Sequence, residues 1–123
     1  ALAPAPQSQP LNYDGRRFRS VANTPNGEVD AQTVFHYHQQ GDVIWATYAG
    51  GGIAFGTFTG RVLAGGVLDF NYAHVNVAGQ AMTGHCVSTP ELLPDTRIRL
   101  RETWQWTSGD RSSGESVVEE VVN

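Results

Sequence analysis

The sequence predicts an all-β fold, an eight-stranded antiparallel up-and-down β-barrel, on the strength of three observations. Short stretches in which apolar and polar residues alternate recur along the chain, as strands with one buried face require. Turn residues separate them at close, regular spacing, and the chain has 14 glycines but only one methionine. No stretch carries the period of a convincing amphipathic helix. A β-sandwich is the second choice.

The individual strands follow from the breaks between them. The run 24–27 is a strong turn signal, and the three glycines at 50–52 form another break. Gly56 and Gly60 lie inside the fourth strand, where glycine is typical of bulges and barrel corners. Two prolines predict a longer loop at 89–96. The predicted strands are 18–23, 32–40, 43–49, 53–62, 67–75, 81–88, 97–107 and 115–122.

Eight such strands in a chain of 123 residues favour a closed sheet, because closure removes exposed edges. A barrel of eight strands is just wide enough to hold side chains or one small ligand. We expect one barrel domain over residues 11–123. The preceding residues 1–10 read as a flexible tail rich in alanine and proline.

The composition excludes several classes of partner. A formal net charge of −4 argues against general affinity for nucleic acid. No apolar run approaches the about 18 residues of a membrane span, so no membrane partner is expected. The single cysteine, Cys86, rules out an internal disulfide and suits a cytoplasmic protein, with secretion left open.

The stretch 97–109 is the most informative part of the chain. Its alternation separates a cationic and polar face from an apolar face, and the apolar face contains one acid. We expect the arginines to pair across strands with acids such as Glu115, Glu119 or Glu120. The apolar face consists of Ile98, Leu100, Glu102, Trp104 and Trp106.

Glu102 is the first candidate site residue. A carboxyl among tryptophans can act as a general acid or base, because apolar surroundings raise its pKa. The structural alternative is an ion pair or hydrogen bond across the barrel. Trp104 is expected either to form a stacking wall for a flat or apolar ligand or to fill the core. Trp106 lies nearer the turn and is expected to plug the barrel end.

The fifth predicted strand supplies further candidates. Phe70, Tyr72 and His74 share one face, so the phenol and the imidazole are expected to orient a polar ligand or to form a core pair. Trp45 in the third strand is a further candidate wall. His36 and His38 also share a face, but no third ligand is identifiable, so neither a metal nor a cofactor is expected.

Several motifs together carry a first resemblance. They are Tyr13-Asp14-Gly15, Gly27-Glu28, Phe35-His36-Tyr37-His38, Met82-Thr83-Gly84-His85-Cys86, Ser88-Thr89-Pro90-Glu91 and the stretch 102–109. With them, nearly everything after the tail resembles a group of small bacterial proteins often labelled N-acetylglutamate synthase. An acetyl-CoA-dependent transferase of the usual kind needs a mixed α/β fold and a pyrophosphate-binding loop leading into a helix. The sequence predicts neither, so we do not carry that activity over.

A second resemblance rests on Trp104-Gln105-Trp106-Thr107-Ser108-Gly109, followed by a polar loop and a last strand. This motif is similar to the penultimate strand and turn of avidin-like, calycin-like barrels. In that family the tryptophan three residues before Thr-Ser-Gly lines the ligand cavity, and Trp104 holds that position. In avidins, an Asn and a Ser of the first strand hold the ureido oxygen of the ligand. That region of this chain reads Arg16-Arg17-Phe18-Arg19 and lacks the pair. The loop 108–114 also lacks the tryptophan that avidins lend to a neighbouring subunit. The resemblance implies a barrel and a cavity wall, but not biotin.

These observations leave three functions open. The leading hypothesis is a barrel that binds a small apolar or aromatic ligand between Trp104, Tyr72 and Trp45, with Glu102 and His74 as polar anchors. The second is a cofactor-free enzyme, a cyclase, isomerase or lyase, with Glu102 as its acid or base. The third is a structural or interaction barrel with a solid core. A void of roughly 300 Å³ or more would fit ligand binding.

The end of the chain predicts self-association. The last predicted strand is apolar on both faces, so one face can serve the core while a second subunit covers the other. We therefore expect a homo-oligomer, with a dimer favoured. The residues concerned are Val117, Val118, Val121 and Val122.

Overall fold

A computed structural model describes residues 11–122, which form one closed barrel of eight antiparallel strands. Each strand pairs with the next in sequence, and the last pairs with the first. The predicted fold class is therefore confirmed, while the predicted tail at 1–10 lies outside the described residues. The strands are β1 Arg17–Asn23, β2 Val34–Gln40, β3 Val43–Gly50, β4 Ile53–Val62, β5 Leu68–Asn76, β6 Ala81–Leu92, β7 Ile98–Trp106 and β8 Ser113–Glu120.

The alternation of each strand decides which side chains fill the barrel. In β7, Ile98, Leu100, Trp104 and Trp106 are buried, whereas Arg101 and Gln105 are exposed. The same period in the other strands sends aromatic and aliphatic side chains inward. Among residues 11–122, the single helical segment is the 3-10 turn Ala64–Gly66.

Two strands differ from their predicted bounds. β6 continues through Pro90 to Leu92, where the sequence predicted a loop. Beyond Ser88 it has passed the end of β5 and pairs with β7 alone, so the missing N–H of Pro90 removes no hydrogen bond on the β5 side. β8 ends at Glu120, and its inner face carries Val118 between two polar residues, so this strand is not apolar on both faces.

The outer face of β7 carries the predicted ion pairs. Arg99 contacts Glu119 at 2.9 Å and Arg97 contacts the same carboxylate at 3.6 Å. Arg101 contacts Glu91 on β6 at 3.1 Å, rather than an acid of β8. These cross-strand pairs keep the cations of β7 on the outside of the barrel.

The two ends of the barrel differ. At one end, where β1 begins and β8 ends, large side chains are fully buried, including Tyr13, Phe18 and Leu100. Tyr13 also closes this end by donating its hydroxyl to the carbonyl of Gly66. At the opposite end the β1–β2 loop, residues 24–33, lies across the opening. The space left inside the barrel is at this second end.

No helix within residues 11–122 is long and apolar enough to cross a membrane.

Candidate functional site

The barrel contains a cavity of about 50 Å³ under the β1–β2 loop. A buried water needs about 10–15 Å³ of such space, so the cavity has room for a few water molecules or a ligand of a few non-hydrogen atoms. This volume is well below the void of roughly 300 Å³ that the sequence-based prediction set as the mark of ligand binding. The cavity wall is mainly aromatic, with Phe35, Tyr48, Phe58, Phe70, Tyr72, Trp104 and Trp106, and its polar members are Asn23, Glu28, His74, Cys86, Glu102 and Ser116.

Glu102 reaches into this cavity from β7. Ser88 donates a hydrogen bond to Oε2 at 2.7 Å, and Ser116 donates one to Oε1 at 2.9 Å. Burial raises the pKa of Glu102, and the two serine hydrogen bonds oppose that shift. Within the described chain no arginine or histidine forms an ion pair with this carboxylate. Its structural partners are therefore hydroxyls alone.

Trp104 and Trp106 form one side of the cavity, as the alternation of β7 predicts. Their rings meet edge to face, with centroids 5.4 Å apart and planes at 62°. Trp106 also donates its indole Nε1–H to the carbonyl of Asn26 at 3.1 Å. Trp106 therefore connects the cavity wall to the β1–β2 loop.

His74 lies on the inner face of β5 with both ring nitrogens engaged. Nδ1 is 2.9 Å from the hydroxyl of Tyr48, and Nε2 is 2.8 Å from Oε1 of Glu28. The network is satisfied by an imidazole that donates from Nε2 to the carboxylate and accepts from the tyrosine, an assignment made from the hydrogen bonds. His74 thus holds the β1–β2 loop rather than presenting a free nitrogen to the cavity.

Tyr72 and Phe70 line the cavity beside His74. Tyr72 is half-buried, stacks on His74 with planes at 13°, and meets Trp106 edge to face at 5.8 Å. Phe70 stacks on Phe58 at 3.8 Å. The structure brings these two residues together with Glu102, Trp104 and Trp106, as the sequence predicted.

The expectation that Trp45 forms a cavity wall is wrong. Trp45 lies on the outer face of β3, 37% exposed, and stacks on His38 at 5.7 Å. The side chains of Ile44, Ala46 and Tyr48 point into the barrel. Because successive side chains of a strand alternate, those of the residues between them point outward. Tyr48 supplies the wall that we expected from Trp45.

The β1–β2 loop covers the cavity through side-chain hydrogen bonds. Glu28 accepts from His74 and, at 3.1 Å, from the side-chain amide of Asn76. Asn23 donates from Nδ2 to the carbonyl of Val29 at 2.9 Å. Sequence reasoning recognised only the turn at 24–27 and missed Glu28 as a site residue, because no local pattern indicates where a loop side chain will lie.

Asn23 lines the cavity with an unused acceptor. Its Oδ1 is buried and has no hydrogen-bond partner among the described residues. A buried carbonyl oxygen without a donor is costly. A donor placed in the cavity would satisfy it.

Cys86 is a buried thiol of the cavity wall. Burial raises its pKa well above the ordinary value, and the carboxylate of Glu102 adds to the shift. Its sequence neighbour His85 points outward and contacts Asp69 at 2.6 Å, so no thiol–imidazole pair forms, as expected from the alternation. No cluster of three or more histidine, cysteine or acidic residues within 11–122 is arranged to hold a metal ion.

Comparison with known proteins places this architecture in a family. A family model described as "Avidin-like protein" matches residues 11–121. Neither the comparison with curated proteins nor that with solved structures found a match. The matched range includes all eight strands and every residue of the cavity wall. The chain therefore belongs to the avidin-like protein family.

Proposed function

We propose that this protein binds a small molecule in the cavity beneath the β1–β2 loop. The observation that carries the proposal is an aromatic cavity containing polar acceptors that the chain leaves incompletely satisfied. Among residues 11–122, Asn23 Oδ1 has no hydrogen-bond partner and the carboxylate of Glu102 has no cationic partner. Binding sites in proteins typically combine such apolar walls with a few convergent polar groups.

The size of the cavity restricts the ligand that enters without rearrangement. About 50 Å³ accommodates a few non-hydrogen atoms, so a larger flat ligand requires the β1–β2 loop to move. Asn26 is attached to Trp106, Ser112 and Ser113, and Glu28 to His74 and Asn76, by hydrogen bonds that each involve a side chain. Residues 24–33 themselves belong to no strand. Segments held in this way open more easily than core strands.

Tryptophan fluorescence tests the proposal. The chain has three tryptophans, and Trp45 is the one on the outer face. The variant Trp45→Phe leaves Trp104 and Trp106 as the only indole reporters, both at the cavity. We expect saturable emission changes with a cavity-sized ligand and a matching rise in melting temperature. If no small compound changes either quantity, the proposal fails and the solid-core barrel is favoured.

An enzyme is the second candidate, and the raised pKa of Glu102 favours it. A carboxyl poised in an aromatic cavity is suited to proton transfer with a bound substrate. Glu102→Gln separates the two functions once a ligand is known. Loss of turnover with affinity retained supports catalysis, whereas loss of affinity alone supports binding.

We also propose that the protein forms a homodimer. The apolar side chains that support this are on the β4–β5 side of the barrel, where Phe55 is 56% exposed and is paired in register with Val75, which is 43% exposed. Val77, 70% exposed, follows them. Sedimentation at micromolar concentration should show a dimer, and Phe55→Ser should shift it towards monomer. A wild-type protein that is monomeric throughout this range contradicts the proposal.

A further inference from the structure

We propose that the cavity selects a small organic cation that carries N–H groups, such as an alkylguanidinium ion, held against Glu102. This inference rests on the proposed function, since it names the ligand class of the same cavity. It follows from the charges that line the cavity, from the free acceptors and from the aromatic wall.

The formal charges that line the cavity are negative. All eight basic side chains counted as Lys or Arg are arginines, and none of them is among the residues lining the cavity. Two carboxylates do line it, Glu28 and Glu102. Glu28 accepts hydrogen bonds from His74 and Asn76, whereas the donors to Glu102 within residues 11–122 are hydroxyls alone. A negative potential therefore remains at Glu102.

A cation would compensate the burial of this carboxylate. Removing an ionised carboxylate from water is costly unless an opposite charge or sufficient hydrogen bonds replace the water. Burial raises the pKa of Glu102, which is the expected response of a carboxylate lacking a cationic partner. The faces of Trp104, Trp106 and Tyr72 add attraction for a cation placed among them.

The free acceptors explain why the cation should carry N–H groups. Each oxygen of Glu102 accepts one hydrogen bond from a serine, and a carboxylate can accept about four in total. Asn23 Oδ1 offers a further acceptor. A planar ion with several N–H donors satisfies these sites together, as charge-assisted hydrogen bonds to a carboxylate do. A quaternary ammonium ion satisfies none of them.

Matched ligands test the inference directly. Methylguanidinium and methylurea have nearly the same shape and differ in charge, while tetramethylammonium carries the charge without N–H groups. Titrations use the Trp45→Phe protein at millimolar ligand and constant ionic strength. We expect methylguanidinium to bind about tenfold or more tightly than either control. Glu102→Gln should remove that preference and leave methylurea binding little changed.

The outcomes separate this inference from the proposed function. If neutral compounds bind as well as methylguanidinium or better, the cation inference is wrong and the proposed function stands. If no compound, neutral or charged, alters emission or melting temperature, both are wrong. Circular dichroism checks that Glu102→Gln folds, and if it does not, the matched ligands on the Trp45→Phe protein alone decide.

Discussion

Glu102 shows how one side chain can serve both the fold and the site. The serines at 88 and 116 orient its carboxylate, while the aromatic wall shields one side of it from water. Tyr37, Tyr48, Tyr72 and Cys86 have raised pKa values through burial and stay neutral at ordinary pH. Glu102 is the carboxyl among them, and burial moves its pKa upward as well.

The raised pKa of Glu102 predicts a pH-dependent stability. Between its ordinary value of 4.5 and the raised value, the folded protein binds a proton more tightly than the unfolded chain does. The contribution of this residue to stability therefore falls as pH rises through that window and levels off above it. The Gln side chain of Glu102→Gln does not titrate in this range. The unfolding free energy of the variant should therefore rise relative to that of the wild type as the pH increases through the window.

Urea denaturation at half-unit steps from pH 4 to 8 measures this difference. Glu119→Gln is the matched control, because Glu119 is an acid of the outer face that pairs with Arg99. A difference for Glu102→Gln that does not change with pH would show that the carboxyl titrates alike in folded and unfolded chains.

Individual residues could be predicted where the strand alternation is unambiguous. In β7 only one face is apolar, so Trp104 and Trp106 point inward as expected. In β3 both faces carry apolar residues, with Val43 and Trp45 opposite Ile44. The alternation then does not show which face of β3 points into the barrel. The size of the indole ring led us to place Trp45 on the inner face, which is wrong.

Among the elements, the β1–β2 loop has the largest influence on the site. Its bonds to Trp106, His74 and Asn76 hold it across the cavity, while the strands provide the wall. Sequence could predict the strands because each has a local period. It could not predict that this loop covers the barrel, because the loop is positioned by partners about 50 to 80 residues away in the chain.

Removing one of these bonds should loosen the loop without unfolding the barrel. Trp106→Phe keeps an aromatic ring in the wall but removes the indole N–H that Asn26 accepts. A single hydrogen bond contributes about 1 kcal/mol, so we expect about fivefold faster amide exchange across residues 24–33. Hydrogen exchange measured by mass spectrometry checks this, with Trp45→Phe as the control on the outer face. Equal exchange in both variants would mean that this bond does not hold the loop.

For the whole molecule, closure and cavity size differ in how far sequence determines them. Eight alternating strands with short connections favour an up-and-down barrel, and the structure has that order. The cavity of about 50 Å³ is the space that remains after seven aromatic side chains and one loop have packed against each other. A small rotation of any ring changes this volume, so no sequence pattern predicts it.

The closed topology predicts that the barrel tolerates a new pair of termini. The end of β8 lies beside the start of β1, with the amide of Val121 donating to the carbonyl of Arg17 at 2.8 Å. A flexible linker from Val122 to Leu11 keeps Tyr13 in its buried position, and the chain can be opened between the exposed residues Asp95 and Thr96, at the end away from the cavity. We expect this permutant to unfold cooperatively in urea, with stability within about 2 kcal/mol of wild type, because every strand pair is kept.

A permutant opened between Asn71 and Tyr72, inside β5, should not fold, because the cut interrupts two ladders. If the Asp95 permutant also lacks a cooperative transition, the connection between β6 and β7 contributes to the barrel beyond joining its strands.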